Sequence, residues 1–147
     1  MNNDLIKELN KFLTGIHMGA ATFKDYRDKA QNEELKAELE NIISSFKTHE
    51  EAITHRIEAL GGVPSDSIGI LGEAAEFWER IKLISVDSDV EVCEHAMKAM
   101  NMGIKGGTKF ITEHSDIDES IMNDVKGVVA DYDNHLAKIE ELSHKFR

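Results

Sequence analysis

The sequence predicts an all-α protein, a four-helix bundle made of two similar hairpins. Three observations predict it. Pro64 is the single proline in 147 residues, and alternating β-branched runs are few. Apolar residues recur at three- and four-residue steps along most of the chain. One such stripe occurs twice, first as Leu39, Ile42, Phe46, His49, Ile53 and Leu60, then as Val125, Val128, Tyr132, His135, Ile139 and Leu142. Both copies place a histidine where a core residue belongs.

The first helix is expected from about Asp4 to Ala30, with Leu5, Leu9, Phe12, Ile16, Ala20 and Phe23 inward. A short turn at Gln31-Asn32 implies an antiparallel partner, expected from about Glu33 to Leu60. Gly61-Gly62 offers a left-handed cap, and Pro64 cannot continue a helix. Gly61 to Asp87 reads as a crossover carrying a short amphipathic helix with Leu71, Ala74, Ala75, Trp78 and Ile81, Trp78 being its anchor. Ser88-Asp89-Val90-Glu91 has the form of a capping box and opens a third helix, with Cys93, Ala96, Met97, Met100, Ile104 and Phe110 inward. A second start signal, Ser115 to Asp118, opens a fourth helix reaching about Lys145. The whole chain, 1–147, is then one domain.

The hairpins align as copies. His17-Met18-Gly19 matches Asn101-Met102-Gly103, and the pairs Leu35/Ile121, Leu39/Val125, Phe46/Tyr132, His49/His135 and Ile53/Ile139 keep a constant offset. Gly15, Gly19, Gly103, Gly106 and Gly107 lie inside helical patterns, each costing up to ~1 kcal/mol relative to alanine. Close approach of a neighbouring helix, or room for a ligand, would offset that.

A net charge of -11, spread along the chain, argues against nucleic acid as a partner. No apolar run is long enough to span a bilayer, and Met1-Asn2-Asn3-Asp4 lacks the basic start of a signal peptide, so a cytoplasmic protein is expected. The lone Cys93 excludes an internal disulfide and reads as a small core residue. Phosphate-binding loops, dinucleotide fingerprints, HExxH and CxxCH are missing; Met97, Met100 and Met102 read as packing.

His49 and His135 therefore carry the functional question. A buried imidazole either finds a hydrogen-bond partner or binds something. Tyr132 offers a hydroxyl that Phe46 lacks. Asp131 shares the face of His135 four residues on, and Glu91 and His95 form the same pair on the third helix. The candidate metal ligands are thus His49, His135, Asp131, His95 and Glu91, with iron or another transition metal as the ion. Glu50, next to His49, points about 100° away.

Two pseudo-repeated hairpins, one crossover and matched core histidines on helices two and four resemble the ferritin-like superfamily. The likeness covers nearly the whole chain and is strongest to small, poorly characterised bacterial bundle proteins, some linked to stress responses. It implies an up-down ferritin-like bundle and a homodimer. In that superfamily a di-iron centre uses Glu-x-x-His on helices two and four, plus a glutamate from each other helix. Phe46 and Tyr132 stand at both motif glutamate positions, and Ile16, Gly19, Ala20 and Phe23 fill the middle of the first helix. The expectation is a non-enzymatic bundle without cofactor, a binding or structural protein whose partner the sequence does not name. The alternative is a metal-storage or oxidoreductase protein with an atypical histidine site.

Overall fold

Amphipathic periodicity and strong caps make four long helices, α1 (Asn2–Lys29), α2 (Glu33–Ala59), α3 (Asp89–Glu113) and α4 (Glu119–His144). The computed structural model describes residues 2–65, 86 and 88–147. The expected short helix and its Trp78 lie outside the described residues. Asn32 caps α2, its side chain accepting from the Leu35 N–H at 3.0 Å. At the other end Gly61 takes φ 84°, while the N–H groups of Gly61 and Gly62 bond to the carbonyls of Glu58 and Ile57, each at 2.9 Å. This left-handed cap satisfies two terminal carbonyls of α2. Ser88 caps α3 through the Glu91 N–H at 3.2 Å, and Asp118 caps α4 through the Ser120 N–H at 3.2 Å.

Each helix packs along two others: α1 on α2, α3 on α4, and across the bundle α1 on α3 and α2 on α4. All four seams are antiparallel. Phe12 meets Phe110 while Asp89 meets Gln31 and Asn32, which fixes α1 against α3. Glu34 meets Lys145 while Arg56 meets Asp124, which fixes α2 against α4. The order is up, down, down, up. Gly62 at the end of α2 lies against Ile6, whereas Asp89 lies beside the α1–α2 turn, so the two ends of the intervening segment sit at opposite ends of the bundle.

Leu9, Leu13, Ile16 and Phe23 of α1, Leu35, Leu39, Ile42, Ile53 and Ile57 of α2, Val92 and Met100 of α3, and Ile139 of α4 are fully buried. Cys93, Ala96 and Phe110 are inward as expected, while Met97 and Ile104 are only half-buried at the edge of the stripe.

Candidate functional site

The repeated stripes meet along the α2–α4 seam. His49 is 8% exposed, and its Nε2 lies 3.0 Å from Oδ2 of Asp131. The approach is poorly aligned with the ring N–H, so Asp131 holds the imidazole through a bent, weak contact, and Nε2 has no well-aligned hydrogen-bond partner among the described residues. Burial holds the His49 imidazole below the usual histidine range, with Asp131 opposing and His135 reinforcing the shift. Asp131 therefore serves His49 across the seam rather than its own-helix neighbour His135.

His135 has a different acid. Its Nδ1 lies 3.5 Å from Oε2 of Glu38, whose side chain is 11% exposed, and its buried Nε2 is likewise without a partner. Glu38 was missed in the sequence. Its signal was there: it sits three residues after Leu35 and four before Ile42, an acid inside the apolar stripe. Each histidine thus faces a carboxylate of the opposite helix, as an orienting carboxylate faces a ligand imidazole.

Between them the seam is aromatic. The Phe46 and Tyr132 rings lie 5.6 Å apart, with Phe23 5.4 Å from Phe46 and His49 edge-on to Tyr132 at 6.1 Å. Two glycines make the room. A Cβ on Gly19 would stand 2.8 Å from the Phe46 ring, and one on Gly103 would stand 2.8 Å from the Tyr132 ring. Gly107 admits Val129 in the same way. Gly15 and Gly106 meet nothing within 4 Å. Burial raises the Tyr132 hydroxyl far above an ordinary phenol, so it stays neutral.

The other candidates lie elsewhere. Gly103 meeting Tyr132 and Gly107 meeting Val129 set the α3–α4 register. That register puts His95 about 8 Å along the axis from the level of His135. His95 is buried and held below the usual histidine range by desolvation, with Lys98 adding to it and Glu91 opposing. Glu91 accepts from the Ser88 hydroxyl at 3.2 Å and belongs to the cap of α3. Burial pushes the Cys93 thiol up to about 11, which leaves no reactive thiolate near neutrality. Among the described residues no three His, Cys, Asp or Glu side chains converge as a metal cage requires.

A model of a family described as a domain of unknown function, DUF2383, matches residues 4–113, three quarters of the chain. The chain belongs to the DUF2383 family. The match stops at the end of α3, so Asp131, Tyr132 and His135 lie beyond it. No curated protein matches this DUF2383 chain.

Among solved structures, a dodecameric thioferritin, the bacterioferritin-related protein of Bacteroides fragilis, superposes with TM-score 0.82 at 14% identity, covering 99% of this chain and 88% of that one. A C-terminal deletion mutant of Mycobacterium smegmatis Dps superposes with TM-score 0.81 at 13% identity, covering 95% and 98%. A two-domain Anabaena variabilis protein with DJ-1/ThiJ/PfpI-like and ferritin-like domains gives TM-score 0.78 at 16% identity, covering 99% of this chain but 37% of that one. The fold of the DUF2383 chain is therefore ferritin-like. A di-iron centre of the Glu-x-x-His type does not fit its residues, because an aromatic pair occupies both glutamate positions and fills the space between the helices.

Proposed function

We propose that this protein is a non-enzymatic, self-associating ferritin-like bundle that acts as a binding or structural protein. The observation that carries the reading is the Phe46–Tyr132 pair, seated on Gly19 and Gly103 in the middle of the bundle. Where a di-iron centre would need charged oxygen ligands, this chain has an apolar plug. Self-association is supported by the described assembly of a fold neighbour, a dodecamer; a homodimer is the smallest form consistent with it. Protein purified anaerobically with ferrous iron should retain less than one equivalent per chain, and sedimentation velocity should give a species larger than 16.5 kDa. One or two tightly held iron equivalents per chain would sink this reading.

A second reading is supported by His135, whose buried Nε2 has no hydrogen-bond partner among the described residues while its Nδ1 faces Glu38, and by His49, whose Nε2 faces Asp131 across the same seam. On that reading His49, Asp131 and His135, which do not converge as a cage in the described arrangement, turn toward a shared divalent transition metal when it binds, with Glu38 orienting His135. It expects zinc or iron uptake to vanish in His49→Ala and in His135→Ala while helical circular dichroism persists. Equal metal content in wild type and both variants would count decisively against it.

A further inference from the structure

We propose that His17 is a proton-operated latch, holding the start of the inter-hairpin connection against α1. After the Gly61 cap the chain runs back over α1, where three side chains at helical spacing hold it. The Asn10 amide clamps the backbone twice, accepting from the Ser65 N–H at 2.7 Å and donating to the Val63 carbonyl at 3.0 Å. The Thr14 hydroxyl reaches the Ser65 hydroxyl at 3.2 Å. His17 Nε2 donates to the Ser65 carbonyl at 2.8 Å.

The other nitrogen of that ring makes the latch sensitive to protons. Nδ1 of His17 lies 3.1 Å from Oε2 of Glu50 on α2. A carbonyl and a carboxylate can only accept, so both contacts attract only when the imidazole carries a proton on each nitrogen. With the Nδ1 proton gone, the attraction is lost and an electron-rich ring nitrogen stands 3.1 Å from a carboxylate oxygen, so the contact repels. The ring must then yield one partner. Glu50 is the charged group in ion-pair contact with His17 among the described residues; α1 adds the uncharged Asn10 and Thr14, and the loop adds Val63 and Ser65.

The internal repeat supplies a control. At the matching places of the second hairpin, Asn101 stands for His17, Leu136 for Glu50, Glu94 for Asn10 and Lys98 for Thr14. None of the four is kept. The aromatic–glycine pairs and the seam histidines are repeated, so the latch belongs to the connection and not to the duplicated scaffold. It is independent of whether the seam binds a metal.

The test is NMR on the full chain, following the His17 ring signals and the Ser65 amide protection factor, corrected for intrinsic exchange, between about pH 6 and pH 8. Ser65 protection should fall about tenfold as pH rises, the size of one charge-assisted contact. Glu50→Gln replaces the carboxylate beside Nδ1 with a neutral amide and should flatten this dependence, while His17→Gln should lower protection at both ends. Unchanged Ser65 protection in wild type, or full pH dependence retained in Glu50→Gln, would overturn the proposal. Wild type and Glu50→Gln suffice for this even if His17→Gln fails to fold.

Discussion

A glycine on each of α1 and α3 decides what the middle of the bundle contains. The Phe46 ring cannot swing away from a new Cβ at position 19, because Phe23 and Tyr132 flank it at 5.4 and 5.6 Å. Gly19→Ala and Gly103→Ala should therefore destabilise by about 1–2 kcal/mol, overpacking outweighing the gain in helix propensity. Gly127→Ala on α4, where a Cβ meets nothing within 4 Å, should stabilise by up to ~1 kcal/mol. Urea midpoints of the three variants check both signs. The buried histidines add a pH dependence. His49 and His95 bind protons less readily folded than unfolded, so the stability their neutral forms contribute is present above the ordinary histidine range and is lost as pH falls through it. Unfolding free energy should drop between about pH 7.5 and pH 5.5, and less so in His49→Asn. These residues differed in how legible they were. The stripe announced His49 and His135 because periodicity reports which face is inward. It could not report that Asp131 reaches across the seam or that Glu38 is the acid of His135, since pairing between helices depends on their register.

At the scale of elements, local signals placed the helices closely. Asn32 read only as a turn residue and Asp118 only as one of the four residues of a start signal, whereas the Ser88 cap and the Gly61 stop read directly from residue type, because capping is decided within a few residues of chain. One tie between elements did not. The Asp89 carboxylate accepts from the N–H groups of Gln31 at 2.8 Å and Asn32 at 3.1 Å, joining the first turn of α3 to the α1–α2 turn. In sequence Asp89 looked only like an acid favoured by a helix N-terminus. Asp89→Ala should cost about 1–2 kcal/mol by leaving both N–H groups to water, and Asp89→Asn about half of that, since its one carbonyl oxygen still accepts. Chemical denaturation of the two variants beside wild type measures the difference.

For the molecule as a whole, the two hairpins read as copies in the sequence and pack as copies, with Phe46 on Gly19 repeated by Tyr132 on Gly103. The topology followed from the length of the connection and the ferritin-like resemblance. A role did not follow, because the middle carries packing instead of reactive groups. One arrangement along the α2–α4 seam has a further consequence. From end to end the contacts are Glu34 with Lys145, Glu38 with His135, His49 with Asp131, and Arg56 with Asp124. In these four contacts each helix supplies its acids from its first half and its bases from its second half or the cap that follows it. Laid antiparallel, this polarity is complementary at all four levels. Laid parallel in the register of the repeat, it would set Glu38 against Asp124 and His49 against His135, like upon like. Duplicated hairpins have apolar stripes too similar to tell one orientation from the other, and the charge gradient written into each copy breaks that tie.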